Sequence, residues 1–175
     1  MIRVKISGVA IDPVTKGFVV ILKDETEKKW LPIWVGHYEA KMISLALEKV
    51  KPVRPLPHDL IKNIIDSLGV TVTRVVICNI KDNTYFASVR LKIHQTEKEI
   101  DARPSDAIAL ALRVDAPIYV TKEVLDKAST EKINLENEKE IKLAKLQQRM
   151  EKAIEIENYE EAAKLRDQIR SLEKK

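Results

Sequence analysis

Ile2, Val4 and Ile6 alternate with polar residues at the start of the chain, the period of a half-buried strand. A turn signal from Asp12-Pro13 to Gly17 follows, and then the apolar run Phe18-Val19-Val20-Ile21-Leu22. A further strand is predicted over 30–35, where Pro32 calls for a sheet edge or a bulge. The spacing then changes from two to three and four. Ala40, Ile43, Ala46 and Leu47 share one face of a helix over 39–47. Leu60, Ile61, Ile64, Ile65 and Leu68 form the core-facing stripe expected of a second helix over 59–68, with Gly69 placed as its C-cap. Between the two helices, Lys51-Pro52-Val53-Arg54-Pro55-Leu56-Pro57 must be extended, because each proline fixes its own φ and turns the residue before it away from helix. Strands over 70–80 and 84–93 are joined at Asp82-Asn83, which suits a hairpin. A strand around 98–102, a helix over 105–113 and a strand over 117–120 close this part of the chain.

The pattern repeats. The run from Thr26-Glu27-Lys28-Lys29-Trp30 through Glu39-Ala40 to Ile43-Ser44-Leu45-Ala46-Leu47 parallels the run from Thr96-Glu97-Lys98-Glu99-Ile100 through Asp106-Ala107 to Leu110-Ala111-Leu112. Each copy reads as a hairpin, a further strand, a charged turn and an apolar helix. Two such units imply a pseudo-duplicated α+β domain with helices packed on the sheet, and they place the charged turns, 37–39 and 101–106, at equivalent positions.

Beyond residue 128 the composition changes: proline and glycine are absent. Leu143, Leu146, Met150 and Ala153, then Ala162, Leu165, Ile169 and Leu172, step by three and four like a coiled-coil seam. Between them Asn158, with Glu161 three residues on, resembles a capping box. The expected organisation is a domain over 1–128, a linker over 129–139 and a helical hairpin over 140–175. So small a hairpin must dimerise, dock on a partner or fold back on the first domain.

Composition adds limits. Of 175 residues, 45% are apolar, enough for a core. The net charge of +4 lies wholly in residues 1–130, since residues 131–175 hold eleven acids and eleven bases. That excess suits a polyanionic partner but falls short of a basic nucleic-acid arm. The lone Cys78 excludes an internal disulfide and a cysteine-rich zinc site, and its apolar neighbours suggest a buried small hydrophobe. No apolar run is long enough to cross a membrane, and the strand-like N-terminus lacks a signal peptide's apolar core, so a cytoplasmic protein is expected. There is no glycine-rich nucleotide loop, and Ser105 has no histidine near it in sequence to form a hydrolase triad.

The stretch from Asp101 to Asp106 admits two uses. As a helix start, Ser105 is the N-cap, Asp106 favours the positive end of the helix dipole and Pro104 holds the approach extended. As a site, Asp101, Asp106 and the matching Glu39 offer hard oxygen ligands to Mg²⁺ or Mn²⁺, and Arg103 offers a planar fork to a phosphate. The neighbours His58 and Asp59 make either a cap with a bystander or a general base.

Three motifs in order, Leu31-Pro32-Ile33-Trp34-Val35-Gly36-His37-Tyr38-Glu39-Ala40, Arg54-Pro55-Leu56-Pro57-His58-Asp59-Leu60 and Ile100-Asp101-Ala102-Arg103-Pro104-Ser105-Asp106-Ala107-Ile108, resemble the bifunctional nuclease domain family over about residues 1–128. The tail, with Leu146-Gln147-Gln148-Arg149-Met150 and Asn158-Tyr159-Glu160-Glu161-Ala162-Ala163-Lys164-Leu165-Arg166, resembles the UVR motif, the hairpin through which subunits of bacterial excision nuclease associate. These resemblances imply hydrolysis of DNA and RNA, and the reading of the charged turns makes Asp101, Arg103, Asp106, Glu39 and His58 the candidate catalytic residues. They also imply a protein partner or a second copy held through residues 140–175. The rival expectation is a non-enzymatic adaptor acting through the same hairpin.

Overall fold

A computed structural model of the chain describes residues 1–12, 15–26, 28–82, 84–131, 146–147, 150 and 158–173. The chain divides into two compact units, Met1–Ala10 with Gly17–Glu131, and Ile11–Lys16 with Lys132–Lys175.

The first unit is α+β. Its elements run β1 (Ile2–Ile11), β2 (Phe18–Asp24), β3 (Lys29–Val35), α1 (His37–Leu47), α2 (Pro57–Ser67), β4 (Thr71–Lys81), β5 (Thr84–Ile93), β6 (Thr96–Ala102), α3 (Pro104–Val114), β7 (Ile118–Val120), α4 (Lys122–Ala128) and β8 (Thr130–Glu131). One sheet holds the strands in the order β6-β5-β4-β7-β1-β2-β3-β8. The expected duplication is visible in that order. β1-β2-β3-α1 and β4-β5-β6-α3 lead outward from β7 in opposite directions. Because β7 is antiparallel to β1 and parallel to β4, β1 and β4 run oppositely, as two copies related by a two-fold axis must.

Period-two alternation builds the core. Val20 and Leu22, Leu31 and Ile33, Val75 and Ile77, Ala87 and Val89 are buried on successive strands, and residues 107–111 of α3 are buried on every side of the helix. The sheet curls enough for the Tyr85 hydroxyl on β5 to donate to the Pro32 carbonyl on β3 at 3.2 Å, although the two strands are not neighbours. The outer side of β3 is paired only at Lys29 and Trp30, so Pro32 stands on the edge its missing N–H requires. Gly69, at φ +65°, follows the last turn of α2 and lets Val70 N–H close on the Ile65 carbonyl at 3.1 Å.

Several expectations are corrected. The stripe on α2 does not face the core: Leu60, Ile61, Ile64 and Leu68 are exposed, and only Ile65 of the set packs inward. The helix instead seats the ridge bearing His58 and Ile65, because Asp59 is tied to Arg113 on α3. Helix α3 begins one residue before Ser105, with Arg103 as N-cap and Pro104 first, so Ser105 is a buried second residue. Helix α4 and strand β8 were not expected. The signal for α4 was present, since Thr121 Oγ1 accepts from Val124 N–H at 3.4 Å and Val124 and Leu125 are buried. Cys78 is half-buried, its thiol facing the Phe86 carbonyl at 3.6 Å, and burial raises its pKa.

In the second unit, Leu146, Met150, Ala162, Leu165 and Ile169 form one apolar cluster, with the last three on α5 (Tyr159–Glu173). Asn158 caps α5 as expected: its Oδ1 accepts from Glu161 N–H, and its amide nitrogen donates to Glu161 Oε2, both at 3.3 Å. Leu143, Ala153, the Leu172 side chain and the linker residues 132–139 lie outside the described residues. Among those described, no helix is long and apolar enough to cross a membrane.

Candidate functional site

Helices α1, α2 and α3 each carry an acid at their third position: Glu39, Asp59 and Asp106. A carboxylate there faces the unpaired N–H groups of the first turn and the positive end of the helix dipole. The duplication makes Glu39 and Asp106 equivalent, and one side chain joins them. Arg103 donates from Nε to Asp106 Oδ2 at 2.8 Å, from Nη2 to Asp106 Oδ1 at 3.3 Å and from Nη1 to Glu39 Oε1 at 3.2 Å. Its own side chain is still 67% exposed. The Asp106 hydrogen bonds raise the Arg103 pKa further, so the guanidinium is always charged.

Gly36, the N-cap of α1, makes room for Glu39. A methyl group at position 36 would overlap Glu39 Oε2, which folds back over the helix start. Behind Asp106 lies His58, 7% exposed, with Nε2 at 3.2 Å from Asp106 Oδ1 and a buried Nδ1 that has no hydrogen-bond partner. Burial opposes ionisation of Asp106, but the hydrogen bonds from Arg103 and His58 outweigh it and hold the carboxyl below the usual carboxylate range.

A second ion pair fixes the helices that carry these groups. Arg113, four residues on from Ala109 at the end of the apolar run of α3, donates from Nε to Asp59 Oδ1 at 2.6 Å. Its Nη1 donates to the Ala109 carbonyl at 2.8 Å and the Met42 carbonyl at 3.3 Å. Asp59 Oδ2 accepts from Leu56 N–H at 2.9 Å. One buried arginine thus ties α1, α2 and α3 together.

Glu39 and Arg103 stand in the wall of a cleft of about 330 Å³, which Trp34, Gly36, Thr84 and Tyr85 also line. Of the residues expected at the site, the structure therefore gathers Glu39, Arg103, Asp106 and His58. Asp101 is elsewhere. On β6 it lies opposite Ser88, exposed, while Ala102 takes the core side, and strand alternation turns Asp101 to the face that carries the Arg90–Glu99 ion pair. His37 packs edge-on against Phe18 at 5.2 Å, and His94 is exposed at the β5–β6 turn.

Among the described residues no three His, Cys, Asp or Glu side chains gather closely enough to hold a metal ion. Both Asp106 oxygens and Glu39 Oε1 accept from Arg103, so a metal ion held by these two acids would have to displace that guanidinium. The sequence reading missed Trp34, Gly36 and Arg113. An arginine directly after the buried apolar run of α3 was the signal available for the last of these.

Comparison with known proteins accords with this architecture. Residues 20–132 match the model of the bifunctional nuclease domain. The chain belongs to the bifunctional nuclease domain family. Residues 134–175 match the UvrB/uvrC motif, so both expected resemblances hold. An uncharacterized protein of Mycobacterium tuberculosis is 37% identical over 126 residues, covering 72% of this chain and 75% of that protein. Among plant members of the nuclease family, bifunctional nuclease 1 of Arabidopsis thaliana is 30% identical over 107 residues, and this chain spans a third (33%) of its length. Bifunctional nuclease 1 of Oryza sativa subsp. japonica is 29% identical over 109 residues, also 33% of its length.

Proposed function

We propose that this chain is a cytoplasmic nuclease that hydrolyses phosphodiester bonds of DNA and RNA in the cleft walled by Glu39 and Arg103. Such hydrolysis needs a positive group for the phosphate oxygens and a base for the attacking water. Arg103 supplies the first, since a phosphate competes with carboxylates for the same planar fork. Glu39 supplies the second: once Arg103 turns to the phosphate, the Glu39 carboxylate is released beside it and takes a proton from water as the water oxygen bonds to phosphorus. The P–O bond to one sugar breaks, and that sugar oxygen leaves with a proton from solvent. Asp106 keeps the Arg103 Nε edge aligned. His58 lies too deep to touch a substrate and acts as a positioning residue for Asp106. Glu39 and Asp106 would be the residues to hold Mg²⁺ or Mn²⁺ once Arg103 is displaced, and the ion would supply further positive charge for the phosphate.

The observation that carries this reading is the exposed guanidinium shared by the acids of the two duplicated turns. The test is cleavage of end-labelled single- and double-stranded DNA and RNA, in Mg²⁺, Mn²⁺ or EDTA, by wild type and Arg103→Ala. Loss of roughly 100- to 1,000-fold in the variant, with its circular dichroism unchanged, is expected. Equal rates would refute the assignment, and inactivity of the wild type on every substrate would favour an adaptor.

The UvrB/uvrC match and the apolar cluster of the second unit support a protein partner held through residues 140–175. The exposed apolar face of α2 supports association of two copies, since Leu60, Ile64 and Leu68 form a single ridge that can interdigitate with its own copy.

A further inference from the structure

Two tryptophans lie on β3, and they are used differently. Trp30 is covered by the Lys23 ammonium, 3.9 Å from the ring centroid. Trp34 is 56% exposed and lines the cleft beside Glu39 and Arg103. Strand alternation explains its exposure: Leu31 and Ile33 take the core side of β3, and Trp34 is turned out of it. Among the described residues no ring or cation packs on Trp34. Tyr85, which also lines the cleft, is held by its hydroxyl's bond to the Pro32 carbonyl of the same strand as Trp34. A large aromatic surface left in water, inside a concavity whose wall bears a guanidinium, is the combination that binds a flat π-system joined to an anion.

We propose that Trp34 is a stacking platform for one unpaired nucleobase, with the adjoining phosphate on Arg103, and that the substrate is therefore single-stranded or locally unpaired nucleic acid. This rests on the nuclease reading and narrows it. About 330 Å³ is at the small end of ligand sites and is room enough for a single nucleotide. A base still stacked in a duplex presents only its edges, so it must leave the stack to lie on Trp34. Stacking is indifferent to base identity, because every base has a π-face, so the subsite selects strand state rather than sequence.

The test reads binding without turnover. Fluorescence anisotropy of a labelled five-nucleotide single strand, and of a duplex containing it, is titrated with the full chain in the cold, and only titrations whose oligomers are intact afterwards are read. Wild type is compared with Trp34→Ala and Trp34→Phe. The expected result is single-strand affinity reduced roughly 5- to 150-fold by alanine and largely restored by phenylalanine, with weak duplex binding unaltered. Tryptophan emission of the wild type should be quenched by the single strand, and that quenching should vanish in both variants. Single-strand affinity equal in wild type and Trp34→Ala would overturn the subsite while leaving the nuclease reading intact, which cleavage of the same oligomers checks separately. A wild type that binds no oligomer and cleaves none would overturn both.

Discussion

Replacing Arg113 by methionine tests the arrangement behind the site. The side chain is 8% exposed and makes three hydrogen bonds, one to the Asp59 carboxylate and two to carbonyls of α1 and α3. Methionine keeps much of the aliphatic stem and removes the charge, leaving Asp59 ionised in a largely buried position. Breaking a buried pair from one side costs about 3–5 kcal/mol. Asp59 keeps the Leu56 N–H and some water, which places the loss near the lower end, at about 3 kcal/mol. For a chain of this size that is a fall in Tm of roughly 6–12 °C. Urea titration followed by tryptophan fluorescence reports the right part of the molecule, because Trp30 and Trp34 are both in the first unit. Asp59→Asn should also destabilise, by stranding Arg113, and the double variant should be less destabilised than the sum of the singles by about 1–3 kcal/mol. A loss under about 1 kcal/mol for Arg113→Met, or strict additivity, would show that the pair does not clamp the three helices.

Gly36→Ala should separate folding from function: its φ of −70° suits any residue and the overlap is with the flexible end of Glu39. Thermal denaturation should move little, while cleavage falls about tenfold or more as the carboxylate is displaced, a misplacement of the kind that costs up to about 10²-fold. Burial opposes ionisation of Asp59, but the Arg113 guanidinium and the Leu56 N–H outweigh it and lower its folded pKa. Its contribution is therefore complete above the ordinary value of about 3.9 and is lost as pH falls through the lower folded value, so the acid limb of a urea-midpoint profile should flatten in Asp59→Asn. Ile64→Asp on the exposed face of α2 should leave stability within about 0.5 kcal/mol yet reduce self-association in sedimentation velocity, and an unchanged sedimentation coefficient would remove α2 from any interface. Leu165→Asp, at a position 3% exposed, should abolish capture of a partner through residues 140–175 without changing the tryptophan-monitored urea transition.

Much of the fold was legible because local and tertiary preferences agree. The β4–β5 hairpin falls at Asp82, α3 is buried on every side as its apolar run requires, and the two charged turns take the equivalent positions the repeat implied. The failures have physical causes. Periodicity shows that α2 has an apolar face but not which way it turns, and here a buried ion pair at Asp59 orients the helix instead. Ser105 is a good capping residue in isolation, but Pro104 is better placed as the first helical residue and moves the start earlier. Asp101 and Asp106 are close in sequence, yet a strand end and a helix start send them to different faces, while Glu39 reaches Arg103 from 64 residues away in sequence. Sequence spacing alone could not tell the acid that belongs to the site from the one that does not.

That separation gives the most direct test of the site. The rate of cleavage of a labelled single strand should be measured for wild type, Glu39→Gln, Asp106→Asn and Asp101→Asn under one set of conditions. A site at the junction of the two duplicated turns predicts strong loss in the first two variants and near wild-type activity in Asp101→Asn. Loss in Asp101→Asn with Glu39→Gln still active would place the chemistry on the other face of the sheet and contradict it.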